Sequence, residues 1–118
     1  MPIITVQGLP ADTNEQALQS LYRACAARVA LIKELKLTST RQLTFFFPPD
    51  MMALDLGQEI IVTVDGLFVK PERTPEVRNR LAEALGETVK EYFPDAFVEV
   101  LVHSFDPAQG FWTSDKEG

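Results

Sequence analysis

The segment MPIITV sets a proline second in the chain, directly ahead of an alternating β-branched run. Removal of the methionine, favoured when the second residue is small, turns Pro2 into a secondary amine with one lone pair and an adjustable proton. A free α-amino group has an unperturbed pKa of about 7.7 to 8.0, and burial or neighbouring cations push it down by disfavouring the charged form. Such a group works near neutral pH as a base that takes a proton from beside a carbonyl and returns it elsewhere. The ring of proline fixes the direction of that amine. The plainer reading is that Pro2 opens an edge strand, where its missing N–H does no harm.

Few other residues are placed for chemistry. Lys36 and Arg41 are cations able to lower the pKa of such an amine and to bind a carboxylate or enolate oxygen, with arginine offering the planar two-pronged match. Lys36 equally suits a helix C-terminus, where the dipole favours positive charge. His103, the single histidine, has no second acid, metal ligand or nucleophile spaced to work with it and reads as a solvated or interface residue. Cys25, the single cysteine, lies among apolar residues at helical spacing and reads as a buried, inert thiol. No His/Cys/carboxylate cluster has metal-ligand spacing and no glycine-rich phosphate loop is present. The expectation is a site with neither metal nor cofactor.

The elements that must position these groups are legible. Residues 3–6 read as a strand, and Gly8, Pro10 and Asp12 interrupt it with turn chemistry. Asp12 or Thr13 is the expected helix cap, with Glu15 or Gln16 completing a capping box. Leu18, Leu21, Tyr22, Cys25, Val29, Ile32 and Leu35 then line one helical face. Residues 42–47, QLTFFF, read as a second strand ended by Pro48 and Pro49. Residues 59–70 carry two apolar runs around Asp65-Gly66, either the turn of a tight hairpin or a bulge inside one longer strand. The bulge is preferred, because splitting the run leaves two strands below the usual length. Thr74 and Pro75 announce a second helix, with Val77, Leu81, Leu85, Thr88 and Tyr92 on one face and Pro94 as its stop. Residues 96–105 alternate, Val98, Val100 and Val102 against Glu99, Leu101 and His103.

The order is βαβ followed by βαβ, an α+β chain expected to form a four-stranded sheet with two helices on one face. The expected organisation is a single domain, residues 1–118, with halves of roughly 1–48 and 59–105 and a C-terminal segment 106–118. The strands of a βαβ unit are parallel, so Pro2 looks toward the entry of the second strand, where Arg41 stands. Because FFF and IIVTV are not polar at alternate positions, both faces of those strands expect cover. A chain of 118 residues has no third layer to supply it. A symmetric oligomer built through the open face is the economical inference. The net charge of -6 and the lack of a basic run argue against a nucleic-acid partner. No signal-like segment or 18-residue apolar run occurs, so a soluble cytoplasmic protein with no membrane partner is expected.

MPIITV followed by a helix, a strand and a second βαβ half resembles the tautomerase superfamily, which includes 4-oxalocrotonate tautomerase and macrophage migration inhibitory factor. Gly110-Phe111-Trp112 is similar to aromatic-bearing tails in several branches, and the nearest likeness is to poorly characterised bacterial members. The resemblance implies a homotrimer, Pro2 as catalytic amine, and a small carboxylate such as a 2-keto acid or its enol as substrate. It also implies a cation near Lys36 or Arg41 on that substrate and Trp112 as a pocket wall, although interface packing explains an exposed aromatic equally well. Related proteins dehalogenate, hydrate or decarboxylate small acids. Two other readings stand beside it: a non-enzymatic trimer that binds a ligand or protein, and a ferredoxin-like module of the same element order.

Overall fold

The computed structural model describes residues 2–39, 42–48 and 59–114. Its elements are β1 (Ile3–Gln7), α1 (Glu15–Ala30), a 3-10 turn (Lys33–Leu35), β2 (Thr44–Phe46), β3 (Glu59–Phe68), α2 (Pro75–Tyr92) and β4 (Phe97–Phe105). The strands form one sheet in the order β2-β1-β3-β4. The β1–β2 and β3–β4 pairs are parallel, and β1 meets β3 antiparallel with Ile3 opposite Asp65. The α+β expectation holds in this mixed sheet.

Three local expectations change. Neither Asp12 nor Thr13 caps α1. Thr13 closes the preceding turn, its hydroxyl donating to the Pro10 carbonyl at 2.6 Å, so the cap falls to the next short polar residue. Asn14 accepts from the Ala17 N–H at 2.8 Å, satisfying one of the donors that a helix start leaves orphaned. The apolar face expected to run through Leu35 leaves the α-helix at Ala30. Val29, Ile32 and Leu35 are spaced by three, which suits a 3-10 turn as well as an α-helix, and that turn returns Leu35 to the core. Finally, β2 is shorter than 42–47. The Gln42 side chain accepts from the backbone N–H of Thr38 at 2.6 Å and of Ser39 at 3.2 Å, so it closes the preceding loop instead of extending the strand.

Asp65-Gly66 is a bulge. Val64 pairs with Val102 and Leu67 with Ser104, leaving two residues opposite His103. Gly66 takes φ +70° there, a conformation glycine adopts without steric cost. The second helix begins as expected, with Thr74 accepting from the Val77 N–H and Pro75 in the first turn.

The core lies between the sheet and both helices. Ile4, Val6, Ile60, Val62, Val64 and Leu67 face Leu21, Cys25, Val29, Leu81, Leu85 and Val89, all essentially inaccessible. Burial pushes the Cys25 thiol up to about 12, against a small opposing effect of Arg28. The neutral thiol is the stable form at physiological pH, as the inert reading requires. The helices are tied across their own interface by Arg28–Glu91 at 2.6 Å and by a Ser20–Tyr92 hydroxyl pair, and Arg80 of α2 reaches Glu34 in the 3-10 turn. Among the described residues, no layer covers the other face of the sheet. Ile3, Phe46, Phe97 and Leu101 are 37%, 54%, 61% and 49% exposed, so the cover demanded by the sequence pattern is not supplied from within the described residues. None of the described helices is long and apolar enough to cross a membrane.

Gly8 shows how closely the central strands approach. At φ +97° an added Cβ would lie 2.1 Å from the Glu59 carbonyl oxygen, whereas at Gly110, φ +70°, nothing lies within 4 Å. Gly110→Ala therefore costs about 1 kcal/mol of backbone strain, and Gly8→Ala about 3 kcal/mol because backbone must also move. Urea midpoints of the two variants test this, and equal midpoints would contradict the close approach. A thiol reagent at pH 8 is expected to leave Cys25 unmodified in the native protein and to modify it in denaturant; rapid native labelling would contradict its burial.

Candidate functional site

Strand directions decide which residues share a neighbourhood. Because β1 and β2 are parallel to each other and antiparallel to β3 and β4, the beginnings of the first pair lie at the same end of the sheet as the finishes of the second. Pro2, the close of α1 with its 3-10 turn, the start of α2 and the segment after β4 all converge there. Pro2 is buried, and its carbonyl accepts from the Thr44 N–H at 3.2 Å, fixing it against the start of β2.

Lys36 follows the 3-10 turn and adopts a left-handed backbone, φ 53° and ψ 41°. Its N–H closes the turn onto the Lys33 carbonyl at 3.0 Å. Its ammonium lies 3.6 Å from the Glu72 carboxylate. Arg41 lies outside the described residues. Trp112 is 85% exposed, but its neighbour Phe111 is anchored, packing edge-on against Phe68 at 5.0 Å and against Phe105 at 6.2 Å. Those two rings end β3 and β4, so the aromatic pair is held at the Pro2 end of the sheet. His103 is exposed on the open face of β4, across from the bulge.

The residue that reading by motif missed is Arg73. It is only 9% exposed. Its guanidinium donates to the Phe68 carbonyl at 2.9 Å and the Leu35 carbonyl at 3.3 Å, while its own carbonyl accepts from Arg78 at 2.7 Å. Its Nε has no hydrogen-bond partner among the described residues. Burial lowers its pKa, with Glu72 opposing, since a charge out of water is unfavourable unless compensated. The available signal was length: the connection from Phe68 to Pro75 is short, so a long cation within it has to lie against the ends of the elements it joins.

The same convergence concentrates charge. Residues 33–36 and 70–80 carry six Lys or Arg and three Glu, and with Asp65 and Asp106 at the same end the local balance is +1 in a chain of net -6. A protein end with that sign attracts anions, and it does so most where water is partly excluded.

No family model matches the chain, and no curated protein matches it. Solved structures share its fold. A fused 4-OT described as an asymmetric trimer superposes with a TM-score of 0.72 at 13% identity, covering 97% of this chain and 94% of that one. Pt0534 inactivated by 2-oxo-3-pentynoate gives 0.69 at 16% identity over 95% and 92%. A domain of unknown function, DUF1904, from Sebaldella termitidis gives 0.67 at 18% identity over 97% and 96%. Across nearly its whole length the chain thus has the fold of these 4-OT-like structures, the fold that the resemblance implied; at these identities the likeness is one of fold.

Anchored Phe111 and exposed Trp112 separate in a stability measurement. Phe111→Ala is expected to cost about 1 kcal/mol through its lost ring contacts, and Trp112→Ala no more than about 0.5 kcal/mol. Chemical denaturation under conditions that keep the chain monomeric checks this. A larger cost for Trp112 would place its ring in the fold of the chain itself.

Proposed function

We propose that the chain is a tautomerase-like enzyme that uses the Pro2 amine as general acid and base on a small 2-keto acid or its enol. The observation that carries this is the seating of a buried Pro2 at the end of the sheet where the basic segments converge. Support comes from the fold shared with Pt0534, a protein whose structure was determined after inactivation by a 2-oxo acid.

Once the methionine is removed, burial disfavours the protonated amine. The buried charge of Arg73 at the same end acts in the same direction. The free amine takes a proton from the carbon beside the keto group, and the ammonium so formed delivers it to the enolate oxygen, giving the enol and restoring the free amine. Lys36 and Arg41 hold the carboxylate and stabilise negative charge as it develops on the enolate oxygen. Trp112 walls the pocket. No group beyond the chain's own residues is required for this proton exchange, and a cytoplasmic setting suits a chain with a single thiol.

Assembly belongs to the same proposal. The open face carries Ile3, Phe46, Phe97 and Leu101 beside the half-buried Ile61 and Thr63, an apolar surface of the kind that marks an interface. A homotrimer closes it, and one of the solved structures with this fold is a trimer. Exposed Trp112 then completes a pocket at the boundary between subunits.

Keto–enol exchange of phenylpyruvate by the protein lacking its methionine is expected to fall at least about 100-fold in Pro2→Ala, with the assembly unchanged by sedimentation. Equal exchange in the two proteins would contradict the role of the amine. Sedimentation as a monomer at micromolar concentration would contradict the trimer.

A further inference from the structure

The dipeptide Glu72-Arg73 grips the neighbouring dipeptide Leu35-Lys36 twice. Arg73 donates to the Leu35 carbonyl at 3.3 Å, and Glu72 lies 3.6 Å from the Lys36 ammonium. Arg73 is itself fixed at its other prong by the Phe68 carbonyl at 2.9 Å. One buried guanidinium therefore ties the end of β3 to the turn that precedes Lys36, joining the two βαβ halves at the Pro2 end. Lys36 stands in the left-handed region at φ 53°, and a residue other than glycine persists there where its surroundings hold it. Arg80 also reaches that turn from the second half, through Glu34.

We propose that Glu72 and Arg73 form one positioning device for Lys36: Arg73 fixes the backbone from which its side chain springs, and Glu72 holds its ammonium until an anionic ligand takes the carboxylate's place. The second half of this statement rests on the reading of the Pro2 end as a site for small acids. The physical logic is competition. The Glu72–Lys36 pair is partly exposed, with Lys36 at 70% and Glu72 at 28% side-chain exposure, and pairs of that kind are weak. They give way to a ligand carboxylate that is held by further contacts. Glu72 thereby keeps the cation directed at one place in the empty site and lowers the apparent affinity for an acid. Arg73, bound to carbonyls on both sides, does not move in the exchange.

Two measurements test the device. In Arg73→Met, and to a smaller degree in Arg73→Lys, which keeps the charge but loses the fork, the Lys36 amide is expected to exchange with deuterium at least about tenfold faster. The core amide of Val62 should be unaffected, and the control variant Lys70→Met should match the wild type. If Arg73→Met does not fold, Arg73→Lys decides. Unchanged Lys36 exchange in a folded Arg73 variant overturns the clamp. In the second measurement, phenylpyruvate binding is followed by NMR titration. Glu72→Gln is expected to tighten binding about threefold, and that gain should vanish when Lys36→Gln is also present. A dissociation constant unmoved by Glu72→Gln, or a gain that survives without Lys36, overturns the role of Glu72. Accelerated exchange together with no saturable phenylpyruvate binding by the wild type would remove the small-acid reading and the Glu72 role while leaving the Arg73 clamp in place.

Discussion

The antiparallel pairing of β1 with β3 is the constraint on which everything at the candidate site depends. Each half of the chain is a parallel βαβ unit, and each alone would put the start of its first strand beside the start of its second. Joining the halves back to back through Ile3–Asp65 and Gln7–Ile61 turns the finishes of β3 and β4 toward the start of β1. Had the halves met in parallel, Phe68, Arg73 and the aromatic tail would stand at the opposite end from Pro2. At one extremity the strands come together at the Gly8 approach to Glu59, where a side chain does not fit; at the other the β1–β3 pairing ends at Asp65, where the β3–β4 ladder bulges.

That pairing also sets the protein's charge arrangement. The two connections that reach the Pro2 end, after α1 and after β3, are the basic ones, although the chain as a whole is acidic. Arg73 shows the cost and the use of this placement. A guanidinium out of water is tolerated because carbonyls at the ends of two elements receive its protons, and in return it fixes those ends relative to one another. On the proposed reading the same positive charge favours a neutral amine at Pro2 and an anionic ligand near it. The face left open by Ile3, Phe46 and Leu101 belongs to the same design, because a trimer closed over it would bring a neighbouring subunit to the edge of the site.

Much of the fold was legible because hydrophobic period and stop signals agreed. Thr74-Pro75, Pro94 and the alternation of residues 96–105 leave little freedom, and the bulge follows from strand length. What escaped was chemistry that depends on competition between equivalent groups. Asp12, Thr13 and Asn14 are all able to cap a helix, and only the turn closed by Thr13 assigns the work to Asn14. Steps of three at Val29, Ile32 and Leu35 suit two kinds of helix. Gln42 looks like a strand residue until its side chain is seen closing a loop. Pro2, Lys36 and Trp112 are proposed from type and position, and strand direction sends them to one end. Arg73 was missed, because its importance comes from carbonyls contributed by residues far apart in the chain, which no local spacing reveals. Arg41 lies outside the described residues.

The central claim is that Pro2 presents a basic amine at this end of the sheet. Its most direct test is titration of that nitrogen in protein carrying nitrogen-15 proline, observed by NMR across neutral pH. A proline nitrogen that titrates as a free amine, below the ordinary α-amino range of about 7.7 to 8.0, is the predicted result. A Pro2 nitrogen that remains an amide, its shift independent of pH, would contradict the account.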